Sequence, residues 1–508
     1  MAAFLLAGVS VYLFLPLRAA LQPDLNWGDP ATLKDFKFNF FRTQYSADEG
    51  TGSVGVWLRQ WVHYLKVAFL EFPGLLLLSI AGMIAALRSS RFRAGGLFLG
   101  WGGLVLAIGI VLNLKPDRYH LIEAYAISSH LLLILFAAWG LSLWAGGAPE
   151  GKTGILGVKG RAILVLVLVG AILVPSLGLR LTRQRQDRYT FAYDYCLNVW
   201  RGIPRDSLYF VRGDSLIFPG WYFQWVGKRR TDLAMVGVDG LPMRWVRVVL
   251  KRMHPGLRVP FPEEQVPFVG AESIGPMTRF LYYSNRDREK YFSYNKIEES
   301  SVPEVRLVPT GLAYRGVIPP PGAGLPPLDE PRVRFLWDSM RLRNLVDRGR
   351  SQDARTRRFL LKDYAVIRNG MGVYYEDLAD EVKATAAAAK RPAPEALLES
   401  LYQGCYVNFR WAADWAEDDN EFAFNVGNSL FNLGRTAEST QWYEKSVALN
   451  PNFANAYFNW AVAEYQMAQF QKAGELFEEV LKLDPDRKEA DGALQYMKYQ
   501  GWYRPKPF

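Results

Sequence analysis

Cysteine and histidine are scarce in this chain, whose 508 residues include two cysteines and four histidines. Cys196 and Cys405 are far apart, and no Cys-x-x-Cys pair or Cys/His cluster is present, which argues against a structural zinc site. The two thiols either pair, if this part of the chain lies outside the cytoplasm, or are two separate buried thiols. The sequence also lacks a Gly-x-Gly-x-x-Gly fingerprint and a P-loop, so it predicts no nucleotide cofactor.

Basic runs with interleaved aromatic residues are absent too, although the net charge is +10. Such runs are what a protein uses to follow a phosphate backbone. We attribute the positive charge to Arg and Lys residues that flank membrane segments. The sequence therefore predicts no nucleic-acid partner.

Long uncharged runs are concentrated in residues 1–181. About 20 apolar residues are needed to cross the hydrocarbon core of a bilayer. The runs predict five transmembrane helices: Ala2–Leu17, Val67–Leu87, Ala94–Leu114, Ala124–Ala145 and Ala162–Leu179.

The charged residues in the short loops predict an orientation for these helices. Arg88, Arg91 and Arg93 join the second and third runs with no acid among them. Positive residues in short loops stay in the cytoplasm. Residues 22–66 then form an outer loop, and everything after residue 181 lies outside the cytoplasm. Within the loop, Leu33 and Phe36 open a pattern at helical spacing, which predicts a helix.

Strand-like and helix-like segments alternate from Asp206 to Arg247. "SLYFVR" and "LAMVGVDG" are typical of strands, and "SLIFPGWYFQWVGK" and "MRWVRVVLKRM" of helices. This order favours a small unit with a parallel sheet. Residues Val302–Arg332 are rich in Pro and Gly and predict a linker or an extended strap.

A 34-residue period near the C-terminus is typical of tetratricopeptide repeats. Pro451 and Pro485 are one period apart, and each ends a helix. Equivalent positions carry the small residues and the large aromatic residue that such repeats need for close helix packing: Gly427 and Ala461, Ser439 and Ala473, Tyr443 and Phe477. Because two repeats do not stack stably alone, helices near Pro394–Trp415 and Arg487–Tyr499 are expected to complete the stack.

The sequence as a whole predicts a mainly α chain with an α/β part. We expect a polytopic helical membrane domain at 1–181, a small extracytoplasmic α/β domain at 182–318, a Pro-rich linker and helical segment at 319–383, and a tetratricopeptide-like α-solenoid at 384–508.

The segment "YLFLPLRAA…NWGDPATLKDF…FRTQY" (Tyr12–Tyr45) resembles the signature of multi-pass membrane proteins of the DUF2723 group, which are related to protein O-mannosyltransferases of the GT-C class. "GDSLIFPGWYFQWV" and "LVPTGLAYRGV" are similar to further segments of these proteins. The resemblance implies a glycosyltransferase that moves a sugar from a polyprenyl phosphate to a Ser or Thr hydroxyl of an acceptor protein. It implies no metal and no cofactor. It also favours the cell inner membrane, with the C-terminal region in the periplasm.

Several residues are candidates for this chemistry, each with a plainer alternative. Asp29 and Glu71 are candidate catalytic acids. Asp29 instead serves as a turn former or helix cap, and Glu71 instead precedes a span that starts at Phe72. The candidate substrate-binding residues are Arg18, Asn26, Trp27, Arg42, Gln44, Tyr45, Arg118, His120 and Asp214. For Arg18 and Arg118 the alternative is contact with lipid headgroups, and for Asp214 it is an acid at a helix N-terminus.

One departure from the resemblance affects the catalytic acid. Proteins of this group carry further spans before the "LPLRA" segment, and their catalytic acid is expected there. We therefore expect a split or mis-started gene, a separate N-terminal membrane subunit, or a loss of catalysis. The second function class is a non-catalytic membrane-anchored scaffold whose repeats bind a protein partner.

Overall fold

The computed structural model describes residues 13–23, 26, 28–40, 54–71, 75–89, 95–96, 132–139, 141, 163, 167, 190–260, 269–293, 302–343, 345 and 354–505. The chain divides into two compact units, Met1–Asp187 and Arg188–Phe508.

The described part of the first unit is helical. Its helices are α1 (Phe14–Ala20), α2 (Leu33–Phe40), α3 (Val54–Glu71) and α4 (Leu75–Ser89). The helical residues 132–139 pack closely on α4, because a Cβ atom at Gly82 would lie 1.9 Å from the Phe136 carbonyl oxygen. Ser79 Oγ also donates a hydrogen bond of 2.7 Å to the Leu133 carbonyl. The helix predicted in the outer loop from the spacing of Leu33 and Phe36 is confirmed by α2.

The predicted polytopic membrane domain requires a correction. Among the described residues, no helix is both long and apolar enough to cross a membrane. The run Val67–Leu87, expected to be one span, is divided between α3 and α4. Pro73 follows α3, and proline disfavours helical backbone in the residue before it.

Neither of these two helices meets both requirements. α3 has 18 residues but carries Arg59, Lys66 and Glu71. α4 is apolar but has only 15 residues, or about 22 Å of helix, which is shorter than a hydrocarbon core of about 30 Å. Most of the other predicted spans lies outside the described residues: the structure describes 13–17 of the first, 95–96 of the third, 132–139 and 141 of the fourth, and 163 and 167 of the fifth.

A five-stranded mixed sheet organises the second unit. Its strands are β1 (Leu208–Val211), β2 (Ala234–Gly237), β3 (Lys290–Phe292), β4 (Arg306–Thr310) and β5 (Ala313–Val317). The order is β2-β1-β3-β5-β4. β1 pairs in parallel with β2 and β3, whereas β5 pairs antiparallel with β3 and β4. The two predicted strands and their parallel pairing are confirmed, and the three other strands were not predicted.

The central strand β1 is buried on both faces. Tyr209 and Val211 point into one hydrophobic cluster, and Leu208 and Phe210 point into another. This alternation follows from the two-residue period of a strand. A strand covered on both sides needs helices on both faces, and they are α5 (Phe191–Arg201), α6 (Asp214–Trp225), α7 (Arg244–Met253) and α8 (Ile274–Ser284).

Part of the predicted linker is instead a hairpin. β4 and β5 lie within Val302–Arg332 and pair across a tight turn in which Gly311 has φ +68°. Pro309 is tolerated in β4 because this strand lies at the edge of the sheet. Residues 318–329 contain no helix or strand.

Helical hairpins form the rest of the second unit. After α9 (Glu330–Asp338), the chain enters α10 (Ala354–Ala388), a helix of 35 residues. The remaining helices stack one after another: α11 (Glu395–Trp415), α12 (Asn420–Asn432), α13 (Thr436–Leu449), α14 (Ala454–Gln466), α15 (Phe470–Leu483) and α16 (Lys488–Tyr499). α11 and α16 confirm the two helices that were expected to complete the stack.

The predicted small and aromatic positions pack as expected. Gly427 of α12 lies against the ring of Tyr443, where an added Cβ atom would be 2.6 Å from a ring carbon. Ala461, Ala473 and Phe477 are buried together in the core of the next repeat. The 34-residue period therefore sets the register of these helices.

The two cysteines are separate thiols. Cys196 lies in α5 and Cys405 in α11, and both are free and buried. Burial raises the pKa of Cys196 to about 12, so this thiol stays protonated and unreactive.

Replacing Gly427 by alanine should destabilise the repeats. The new methyl group would have to displace the buried Tyr443 ring, and overpacking of this kind costs about 1–3 kcal/mol. We expect a lower midpoint in thermal and urea unfolding. The control is Gly492→Ala in α16, where an added Cβ meets no atom within 4 Å. There alanine should leave stability unchanged or raise it by up to about 1 kcal/mol. Equal midpoints for the two variants would contradict the packing argument.

Candidate functional site

The described residues of the "NWGDP" segment, Asn26 and residues 28–30, lie in a turn that is held by side-chain hydrogen bonds. Asn26 and Asp29 are only 6% and 7% exposed. Asn26 Nδ2 donates to Asp29 Oδ1 at 2.7 Å and to the Ala19 carbonyl at 3.3 Å. Gly28 has φ +74°, and Asn39 Nδ2 of α2 donates to its carbonyl at 2.8 Å. The turn is thus attached to α1 on one side and to α2 on the other.

These contacts bear on the alternative reading of Asp29. The helix cap that was expected from Asp29 is supplied by Thr32, whose Oγ1 accepts from the backbone N–H of Asp35 at 3.1 Å. Asp29 instead accepts within the turn and has φ +40°. Its carboxylate therefore holds the turn in shape, and a catalytic role for it stays a prediction.

The other predicted residues of the first unit are only partly placed. Arg18 is exposed in the last turn of α1, one residue before the carbonyl that accepts from Asn26. Glu71 is the last residue of α3. Six candidates lie outside the described residues: Trp27, Arg42, Gln44, Tyr45, Arg118 and His120.

Asp214 lies at the carboxyl edge of the parallel strands, far along the sequence from the other candidates. β1 has β2 on one side and β3 on the other. The chain leaves β1 towards β2 and then crosses back to β3, so the order of the strands reverses next to β1. In open α/β sheets, ligands bind outside the carboxyl ends of the strands at such a switch point. Asp214 opens α6 directly after Gly213, which has φ +89°.

Three further residues join Asp214 at this edge. Arg212 forms an ion pair of 3.1 Å with Asp239, the second residue after β2. The Arg212 backbone N–H donates to Ser293 Oγ, directly after β3, at 2.8 Å. Burial, and then the neighbouring Asp239, raise the pKa of Asp214. The edge therefore combines one cation with two carboxylates, a set suited to a polar ligand.

A second carboxylate missed in the sequence, Asp363, lies behind this edge. Ser215 Oγ of α6 donates to Asp363 Oδ2 of α10 at 2.8 Å. Burial raises the pKa of Asp363 to about 6. Asp239 follows a predicted strand and was available as a sequence signal, but nothing local marks Asp363, since it is 148 residues away from Ser215.

The repeats and α10 line a separate polar cavity of about 260 Å³ that is partly open to solvent. Its lining comes from α10, α12, α13 and α14: Glu376, Asn428, Phe431, Asn432, Tyr443, Asn459 and Val462. Tyr443 OH and Asn459 Nδ2 both donate to Asn428 Oδ1, at 3.0 and 2.8 Å. A concave pocket with a few convergent polar groups is the usual form of a ligand site.

Two family models match this part of the chain. One, described as "TPR repeat", covers residues 427–468, and another, "Tetratricopeptide repeat", covers residues 454–487. These residues are the helices whose period and packing are described above. The C-terminal helices are tetratricopeptide repeats.

Two similar proteins extend the likeness beyond the repeats. "Protein O-mannosyl-transferase tmem260" of Dictyostelium discoideum is 23% identical over 284 residues, which is 51% of this chain and 34% of that protein. "Protein O-mannosyl-transferase TMEM260" of Mus musculus is 24% identical over 303 residues, which is 56% of this chain and 42% of that protein. The chain thus spans about a third to two fifths of the length of these relatives.

The solved structures similar to this chain include tetratricopeptide-repeat domains. The first TPR of Spaghetti (RPAP3) bound to an HSP90 peptide is 17% identical, with a TM-score of 0.21, and covers 26% of this chain and 96% of that one. The TPR2B domain of yeast Sti1, in a pHsp70 complex, is 19% identical, with a TM-score of 0.20, and the match covers 24% of this chain and 97% of that one.

Replacing Asp363 by asparagine should change the pH dependence of stability. Because the folded pKa of about 6 exceeds the ordinary value of an aspartate, Asp363 contributes stability below pH ~4 that is lost as the pH rises through 6. The asparagine keeps an acceptor for Ser215 and does not ionise. The variant should therefore gain stability relative to the wild type between pH 4 and pH 7, by roughly 2–3 kcal/mol at most.

Urea unfolding followed by tryptophan fluorescence at pH 4 and pH 7 measures this difference. Asp287→Asn, an exposed substitution in the same unit, is the control and should show the same difference from wild type at both pH values. A pH-independent effect of Asp363→Asn would show that the buried carboxyl does not ionise in this range.

Proposed function

We propose that this chain is part of a glycosyltransferase of the protein O-mannosyl-transferase kind. The observation that carries the proposal is the similarity to two proteins of that name over about half of the chain. The predicted location in the cell inner membrane, with a periplasmic C-terminal region, stays a prediction.

The proposed reaction transfers one sugar from a polyprenyl phosphate to a Ser or Thr hydroxyl of an acceptor protein. The bond between the sugar C1 and the phosphate oxygen breaks, and a bond from C1 to the hydroxyl oxygen forms. A carboxylate base takes the hydroxyl proton. Cationic or backbone donors stabilise the departing polyprenyl phosphate. Asp29 and Glu71 remain the candidate bases in this chain.

A purely non-catalytic scaffold accounts less well for the similarity. Repeats alone would produce a match confined to residues 384–508. The matches of 284 and 303 residues are more than twice as long as that region. They therefore include residues outside the repeats. A repeat module that many proteins share does not explain similarity in those residues. We assign the repeats the role of holding a protein partner of the enzyme, for which the acceptor is the simplest choice.

Loss of this chain should remove hexose from Ser and Thr of a set of proteins in the organism that makes it. The test is to delete the gene and compare glycopeptides by mass spectrometry, with wild-type and variant genes returned. If Asp29 is the base, Asp29→Asn should keep the turn, because its amide oxygen still accepts from Asn26, and should lower transfer about 100-fold or more.

The Asp287→Asn gene is the control and should restore glycosylation fully. An unchanged glycopeptide pattern in the deletion strain would refute the proposed function. Full activity of Asp29→Asn would refute only the assignment of the base.

A further inference from the structure

Helix α6 carries apolar residues on all sides, although only one side of it is buried in the core beneath the sheet. Trp221 and Trp225 point inward and are 7% and 8% exposed, whereas Phe218, Tyr222 and Val226 are 40%, 58% and 66% exposed. A spacing of four residues places the three exposed side chains on one face of the helix. A helix that is apolar all round is normally covered all round. The outward face of α6, defined by these three residues, is therefore expected to contact a partner.

Positive charge is concentrated where α6 ends. Three segments, 204–207, 226–233 and 251–258, contain seven Lys or Arg residues and two acids, and we call them the basic edge. Their net charge of +5 is half of the formal net charge of +10 that the whole chain carries. The segment before β3, 285–289, has two residues of each sign and is neutral.

Contacts between these segments make the basic edge one continuous surface. Arg230 Nη2 donates to the Pro204 carbonyl at 2.9 Å, which joins the segments before β1 and β2. Trp225, at the end of α6, and Met253, at the end of α7, line the same narrow cleft. The segments that continue from these two helices therefore lie at the same end of the sheet, next to Val226.

The charge of the basic edge faces solvent and is only partly balanced. Five of its cations are exposed: Arg205, Lys228, Arg229, Lys251 and Arg258. Arg229 donates to the Tyr193 hydroxyl, and Lys251 Nζ donates to the Pro255 carbonyl at 2.8 Å. Because both acceptors are neutral, these two bonds do not balance the positive charge.

An apolar face beside exposed cations is complementary to the surface of an anionic bilayer. Helices that lie in the membrane interface bind through an apolar face and through the attraction of Lys and Arg to anionic lipid. Tyrosine is enriched at the depth of the headgroups, because its ring is apolar and its hydroxyl is polar. A second copy of this chain fits less well, since two basic edges would repel each other.

We propose that the outward face of α6 and the basic edge dock on a bilayer that contains anionic lipid, with Phe218, Tyr222 and Val226 among the headgroups and the cations against the phosphates. This docking is peripheral and does not require any described helix to span the bilayer. It holds the sheet and the attached repeats at the lipid surface, and it does not depend on sugar transfer.

A fluorescent label on α6 tests the proposal in the full chain. Because Cys196 and Cys405 are both buried, Tyr222→Cys provides one reactive thiol for the environment-sensitive dye NBD. Vesicles of phosphatidylcholine with about 30% phosphatidylglycerol should shift the NBD emission to the blue, and a spin label at the top of the lipid acyl chains should quench it. Pure phosphatidylcholine vesicles should give this response only at a lipid concentration about tenfold or more higher.

A second label shows that the response belongs to α6. Tyr499→Cys places NBD on α16, at a residue that is 87% exposed and lies outside the proposed surface. Its emission and quenching should stay unchanged on both kinds of vesicle. Attachment of the chain through another part therefore does not imitate the expected result.

Variants in the Tyr222→Cys background separate the charge from the apolar contact. Arg205→Gln combined with Lys228→Gln should weaken the response to anionic vesicles about tenfold or more, and added salt should act in the same direction. Val226→Gln should reduce quenching by the lipid spin label. Thermal unfolding of each variant confirms its folding.

Lys488→Gln combined with Lys498→Gln is the matched control. It removes the same charge from exposed positions on α16 and should respond like the parent. An equal response of the label at position 222 to neutral and anionic vesicles would overturn the proposal, as would equal quenching at position 499. Binding of polyglutamate without a response to vesicles would assign the surface to an acidic protein, and a shift that depends only on protein concentration would assign it to a second copy. Either result would also overturn the proposal.

Discussion

The fold of the second unit depends on one helix, α10, which is buried in two hydrophobic cores. α10 contributes Leu360, Tyr364, Ile367 and Met371 to the core beneath the sheet. A second side of the helix contributes Ala365 and Ala379 to the core of the helical stack. A helix buried on two sides is not free to rotate, since turning it would expose apolar surface from one core or the other. The sheet and the repeats are therefore fixed to one element.

Polar contacts along α10 make this attachment specific. Asn198 Nδ2 of α5 donates to Tyr364 OH at 2.9 Å. One turn further on, the guanidinium group of Arg368 lies 4.0 Å from the ring centre of Trp337 and 5.0 Å from that of Trp411, and donates to Asn408. A cation between aromatic faces keeps a favourable interaction when it is partly removed from water. These contacts fix both the rotation and the position of α10 along its axis.

The same helix links the two polar regions that the structure reveals. Asp363, near the start of its buried part, contacts Ser215 at the carboxyl edge of the sheet. Glu376, further along, lines the cavity of the repeats. α10 lies between the sheet and the repeats in the sequence, and it contributes one carboxylate to each of these two regions. This arrangement places a polar sheet edge and a polar cavity on one framework.

Local and periodic signals in the sequence determined the repeats, the strands β1 and β2 and the turn around Gly28, because each depends on neighbours a few residues away or on a fixed 34-residue period. Residues 13–89 show the limit of such reasoning. Hydropathy predicted one span where the structure has two helices, since apolar runs do not show where a helix ends. Only the tertiary structure decided the pairing of β3 with β5, the contact between Ser215 and Asp363, and the place of Glu376 beside Asn428. These contacts join residues far apart in the sequence, and no local pattern specifies which distant side chains come together when a core closes.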